Sequence, residues 1–355
     1  MAEDSYTSRA MDSIKGAFRK ATYGDAFAGA SRYIGQEAAA HKVTILSDAN
    51  HGNMDRKALM ASPELAAEAR KAGVTHLGLE LPKSQQVLVD RLADKSLSKG
   101  TFVNMMTSLE DSGVVKTPGL NRADLRKSLE DRADTIINAS NQGIKVVALD
   151  SQQGTTITTK SGKVHNNGFE EPMGKFWDDY SRKAEQSPLF NPNKSLTGYK
   201  ASSLKDGERS AQFKKDFSDN PTIKNFQADI DQVYPDKDNK MRMFQDREVA
   251  REIKGLVDNG GKVLVDYGQG HTKRAEGDID SSLKRMGTDV KTIEVHGNVK
   301  DFQDSYARCQ GLENTSDRCE SPYAKPRIFL DKGTLEAPAT EGASAKVTPL
   351  ASIAP

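Results

Sequence analysis

Five short apolar runs, spread along the chain and separated by stretches of helical periodicity, constrain this sequence more than any other feature. Val43-Thr44-Ile45-Leu46-Ser47-Asp48, Thr75–Leu81, Ile144–Leu149, Lys262–Tyr267 and Val290–Val295 each read as a buried strand. The helical stretches between them carry their own start and stop signals. Ser62-Pro63-Glu64 supplies an N-cap, a proline at the first helical position and an early acid, and Gly73 suits the position just past the end of that helix. Asn121 caps a second helix, whose Leu125, Leu129, Ala133 and Ile136 share one face and which Gly143 ends. From about Met241, Val249, Ile253, Leu256 and Val257 form another stripe, stopped at Gly260-Gly261, and a further helix lies near Ile279–Arg285. Strand–helix–strand repetition of this kind predicts an α/β fold, a mainly parallel sheet flanked by helices on both faces.

The remainder of the chain is more polar. Residues 1–25 form a mixed N-terminal arm with a weak amphipathic stretch around Met11–Phe18. The α/β domain then spans 26–334, its core at about 43–150 and 241–300. Residues 151–240 are expected to be a helical insertion, with helices around 173–186, 205–217 and 222–233. Pro326-Arg327-Ile328-Phe329-Leu330 reads as an edge strand. From 335 to 355 the residues are small and polar, and a disordered C-terminal tail is expected because such residues bury too little surface to offset ordering entropy.

Lys plus Arg is 51 and Asp plus Glu is 50, a net charge of +1, so nothing pulls the chain as a whole toward nucleic acid. No apolar run approaches the roughly 20 residues that span a bilayer. The start, Met1-Ala2-Glu3-Asp4-Ser5, lacks the apolar stretch of a secretory signal. A cytoplasmic location is the expectation, with secretion by a route that needs no cleaved signal as the alternative. Cys309 and Cys319 are read as free surface thiols, a small disulfide loop being the alternative in an oxidising compartment. Without a Cys-x-x-Cys pair, a structural zinc site is not expected.

The chemistry-bearing residues gather where the strands end. The first strand is followed by Asp48 and His51, the second ends at Glu80 and the third at Asp150. The fourth leads into Gly268-Gln269-Gly270-His271, and the fifth is followed by His296. In open α/β sheets ligands bind outside these carboxyl ends, so groups far apart in sequence can share one crevice. Asp48 and Asp150 read first as helix caps, His76 as a packed core histidine, and His41 and His165 as solvated. His296 stands between a site role and a loop role. Glu80 lies between Leu77-Gly78-Leu79 and Leu81-Pro82, and a carboxylate part-buried there must find a partner. His51 and His271 both sit in glycine-containing turns, which let the backbone bend and a substrate approach. On the helix from Met241, Asp246 points near the apolar stripe. Arg247 falls about 120° from it, either as a solvated side chain or as one reaching over the sheet edge to an anion.

Those same residues resemble a known superfamily. Ile45-Leu46-Ser47-Asp48-Ala49-Asn50-His51-Gly52, Leu77-Gly78-Leu79-Glu80, Val147-Ala148-Leu149-Asp150-Ser151-Gln152, Arg247-Glu248-Val249-Ala250 and Gly268-Gln269-Gly270-His271 are similar, in order and rough spacing over residues 43–300, to motifs of the erythromycin esterase-like and Tiki superfamily, which includes haem-uptake and TraB-like relatives. Asp48-Ala49 departs from the Gly-Glu pair common at that point, and residues 151–240 have no counterpart. The resemblance implies a hydrolase of a small molecule or peptide. In it His51 activates water, Glu80 orients it, His271 serves as acid or metal ligand, and Arg247 steadies negative charge. The esterase branch works without a metal. The protease branch uses a divalent ion, for which His51, Glu80 and His271 make a three-ligand set open to manganese, cobalt, zinc or iron. Two alternatives are a haem- or iron-binding module, with Tyr267 and His271 in place for it, and a signal-less secreted effector built on the same core.

Overall fold

In the computed structural model, the described residues are 24–48, 53–112, 121–150, 157–158, 164–165, 170–194, 202–224, 239–272, 277–298, 300, 302–303, 325–339 and 344–354. The strands in chain order are β1 Val43–Asp48, β2 His76–Pro82, β3 Lys145–Asp150, β4 Ile157–Thr158, β5 Val164–His165, β6 Val263–Gly268, β7 Val290–His296, β8 Arg327–Phe329, β9 Thr334–Glu336 and β10 Val347–Pro349. Eight of them form one sheet in the order β10-β9-β8-β7-β1-β6-β2-β3, while β4 and β5 pair only with each other. From β8 across to β3 every pairing is parallel, and β9 and β10 are added antiparallel. The expected α/β architecture is the observed one.

Alternation along the strands sorts the apolar side chains into two cores. Leu46, Leu77, Leu79, Leu264, Ile293 and Val295 join a core shared with the helices Pro63–Lys71, Gln86–Ala93, Lys99–Asp111 and Arg122–Asn141. Val43, Ile45, Val263, Val265 and Tyr267 face the other way. They pack against Val249, Ala250 and Ile253 of the helix Asn239–Asp258 and against Ile279 and Leu283 of the helix Ile279–Arg285. The cap signals act where the sequence puts them. Ser62 accepts the Leu65 N–H at 3.1 Å, Asn121 accepts the Asp124 N–H at 3.0 Å, and Gly73, Gly143 and Gly260 take the positive φ that ends each helix.

On the face toward the first core, Arg56 of the helix Met54–Met60 makes an ion pair with Asp266 of β6 and approaches the Leu46 carbonyl of β1 at 3.4 Å. It thereby ties that helix to the two central strands.

Within residues 151–240, helices run Glu170–Gln186, three residues longer than expected at its start, and Ser202–Asp219, longer at both ends. Their aromatic residues extend the first core: Phe176 stacks on Tyr180 with centroids 5.1 Å apart and meets Phe213 edge-on at 5.8 Å, with Trp177 fully buried beside them. Residues 221–224 are also helical; the rest of the third expected helix lies outside the described residues, as do Cys309, Cys319 and residues 1–23. Residues 24–40, which include the last two of the expected polar arm, are helical.

The C-terminal segment corrects two expectations. It is not a disordered tail over its described part: β9 and β10 extend the sheet, the Leu350 side chain is completely buried, and Arg32 Nε donates to the Ile353 carbonyl at 2.7 Å. As a result β8 is an interior strand between β7 and β9, not an edge strand. The physical reason is that a three-residue strand needs almost no apolar sequence of its own once a sheet edge already offers unpaired backbone groups.

The helix Ile279–Arg285 is capped by Asp278, whose Oδ1 accepts the Ser281 N–H at 2.8 Å. Burial pushes the Asp278 carboxyl up to about 6 from its ordinary 3.8, against the opposing effect of the Ser281 hydrogen bonds. The folded chain therefore holds a proton that the unfolded chain has released, so this group's contribution to stability falls as pH rises from about 4 to about 6. Asn keeps the cap and removes the charge. The stability advantage of Asp278→Asn over wild type is expected to grow by up to about 3 kcal/mol between pH 4 and pH 7, measured by urea denaturation at each pH. A pH-independent difference would contradict this.

Candidate functional site

The carboxyl ends of β2, β3 and β6 converge beside the helix Asn239–Asp258. At β6 the chain leaves the sheet as Gly268 and makes one tight turn, Gln269–His271, which brings the His271 ring back over the strand ends. Its Nδ1 is hydrogen-bonded to Oδ1 of Asp246, a carboxylate only 1% exposed on the helix side. Nε2 faces Oε1 of Glu80 at 3.4 Å, and the other Glu80 oxygen accepts the Gly268 N–H at 2.7 Å. The Tyr267 ring stands edge-on to the imidazole at 4.9 Å and 82°. Each contact limits the ring in a different direction: the carboxylates set its rotation and Tyr267 sets its tilt.

Asp150, at the end of β3, belongs to the same group. Burial holds its carboxyl above the usual carboxylate range; the negative charges of Glu80 and Asp246 add to this, while His271 and a hydrogen bond from the Tyr267 hydroxyl oppose it. From the helix Arg122–Asn141, the half-buried Arg132 feels the charges of Glu80 and Glu110. These favour its charged form, while burial, the larger effect, pulls its pKa down. Three carboxylates and one imidazole thus meet at the strand ends, with the Arg132 guanidinium near enough to Glu80 to feel its charge.

The structure brings Glu80 and His271 together as the strand-end pattern suggests, with Asp246 as the partner between helix and turn. His51 lies outside the described residues. Arg247 is exposed on the helix, and the contacts joining His271, Asp246 and Glu80 do not include it. His296 ends β7 fully buried, and His41 is held by Asp289 at 2.8 Å. Tyr267 is also buried, and its hydroxyl is turned to Asp150. Sequence reasoning took Asp150 for a cap and passed over Arg132. The signal for Asp150 was its place at the end of a strand, shared with Glu80; for Arg132, one arginine on a charged helix, there was none.

Among the described residues, no group of three or more His, Cys, Asp or Glu side chains is placed to hold a metal ion. The Nδ1 of His271 is bonded to Asp246 and one Glu80 oxygen to the Gly268 N–H, while Nε2 lies 3.4 Å from the other Glu80 oxygen. Nor is any helix among the described residues long and apolar enough to cross a membrane.

No family model matches the chain, and no curated protein matches it. A solved structure, that of the type III effector HopBA1, is similar over 74% of this chain and 81% of that chain, at 13% identity and a TM-score of 0.37.

Proposed function

We propose that the chain is a hydrolase of the erythromycin esterase-like and Tiki type, acting by general acid–base chemistry on an ester or amide. The observation that carries this reading is the buried Asp246–His271 pair facing Glu80 at the strand ends. A carboxylate that accepts the Nδ1 proton leaves Nε2 as the atom that exchanges a proton with water or a leaving group, and histidine's ordinary pKa suits that exchange near neutrality. Glu80, held by the Gly268 N–H, orients the attacking water. His51, three residues after β1 in the sequence, takes the role of base that the sequence resemblance implies for it. Arg132 supplies positive charge toward Glu80, and Arg247 remains a candidate for steadying a substrate anion from the rim. A divalent ion, if the enzyme uses one, would be held by Nε2 of His271, Oε1 of Glu80 and His51, and would lower the pKa of bound water. A cytoplasmic location, with signal-less secretion as the alternative, is part of the same proposal.

The test is turnover of p-nitrophenyl acetate, p-nitrophenyl butyrate and a fluorogenic peptide amide by the purified chain, with and without added manganese or zinc. Turnover by wild type that drops about 100-fold or more in both His271→Ala and Glu80→Gln, with unchanged circular dichroism, is the expected result. Equal rates in wild type and His271→Ala, or no turnover of any probe under any condition, would sink the reading.

A further inference from the structure

Behind the turn that carries His271 lies a second polar cluster that the proposed chemistry does not use. Glu294, on the inner stretch of β7, is 6% exposed. One of its oxygens accepts the Gln269 side-chain amide at 3.0 Å, and the other is 3.3 Å from Nε2 of His296. The His296 ring is fixed in turn, stacked on Phe329 at 5.4 Å and 22° and meeting Phe302 edge-on at 5.3 Å. Its Nδ1 has no hydrogen-bond partner among the described residues. The ring therefore carries its proton on Nε2 and gives it to Glu294. On the other side of His271, Thr272 shares a hydrogen bond with Ser47 of β1 at 2.8 Å, and its carbonyl accepts from the buried Lys325.

Burial pushes the Glu294 carboxyl up, yet His296, Lys325 and Gln269 outweigh it and hold the group below the usual range. Those partners make the charged carboxylate part of the fold's stability at neutral pH, and removing it alone costs stability. The cluster also holds the turn. Gln269 and Thr272 are the two residues on either side of Gly270-His271, and both are tied backward while His271 projects forward.

We propose that Glu294 is a positioning residue for His271: through Gln269 it sets the turn so that the imidazole stays between Asp246 and Glu80. The inference concerns the same site as the hydrolase reading, but its main test needs no activity. Long-range proton–nitrogen NMR of the histidine rings reports the tautomer, with His271 assigned by comparison with His271→Gln. In wild type His271 is expected in a single tautomer protonated on Nδ1. In Glu294→Leu, loss of the Gln269 anchor is expected to give a mixture of the two tautomers. Thr292→Val is the control. It removes a hydrogen bond of 2.6 Å to Asp280 on the same face of β7 while leaving the Gln269–Glu294 hydrogen bond in place, and should leave the His271 signals unchanged.

If Glu294→Leu does not fold, Gln269→Leu cuts the same tie while leaving Glu294 paired with His296, and is expected to give the same spectral change. His271 signals equal to wild type in a folded Glu294→Leu or Gln269→Leu protein would overturn the proposal, as would an equal change in Thr292→Val. Where ester turnover is present, these variants should lose about 10-fold in kcat with little change in KM. Absence of turnover in wild type would bear on the hydrolase reading alone and leave the NMR result to stand.

Discussion

Replacing Asp246 with asparagine is expected to cut kcat for ester hydrolysis by roughly 1,000-fold while leaving the fold intact. Asp246 is buried on the helix Asn239–Asp258, and its Oδ1 takes the Nδ1 proton of His271. An asparagine of the same shape can present its NH2 to Nδ1, and the imidazole then carries its proton on Nε2, the atom that has to accept one. The ring stays in place and the tautomer is wrong. KM is expected to change little, since Asp246 is shielded from any ligand by the histidine it holds. Asp246→Asn turning over the ester probe within a few-fold of wild type would show that the pair is only structural, whatever His271 does.

Gly29→Ala is expected to destabilise the chain by about 2 kcal/mol or more and to expose residues 344–354 to protease. Gly29 lies in the helix 24–40, where alanine by propensity alone would add about 1 kcal/mol. Tertiary contact reverses the sign. A Cβ on Gly29 would stand 2.1 Å from the Leu350 carbonyl oxygen and 2.5 Å from its carbon, and that backbone is itself pinned by the Leu350 N–H donating to the Gly333 carbonyl at 2.7 Å. Either the helix or the C-terminal segment has to move, and moving the segment uncovers Leu350, worth about 2 kcal/mol of apolar burial. Urea denaturation and limited proteolysis read the two consequences separately. An alanine variant as stable as wild type would mean that the C-terminal segment does not rest on this helix.

Both variants probe features that were unequally legible. Asp246 could be placed by helical phase, seven residues before Ile253 and close to the buried stripe, and Glu80 and His271 by their positions at strand ends. The Gly29–Leu350 contact joins residues more than three hundred positions apart in a segment whose composition argues for disorder. Glu294 and His296 are an intermediate case. Two residues apart on one strand, they must share a face, but only the Gln269 anchor and the stacked Phe329 show that the face is turned inward to support the turn.

The sequence by itself determined the central strands β1, β2, β3, β6 and β7, where Ser62 and Asn121 start helices, where Gly73, Gly143 and Gly260 stop them, and that several acids and histidines stand at strand ends. These follow from interactions within a few residues, the two-residue period of a strand, the 3.6-residue period of a helix and the caps, so a short window of sequence contains them. Only the tertiary structure decided that β1 sits between β6 and β7, that the last residues complete the sheet, and that His271 reaches Asp246 and Glu80 while Gln269 reaches Glu294. Those pairings are set by register between distant strands and by which buried polar group can find a partner, and no local window carries that information.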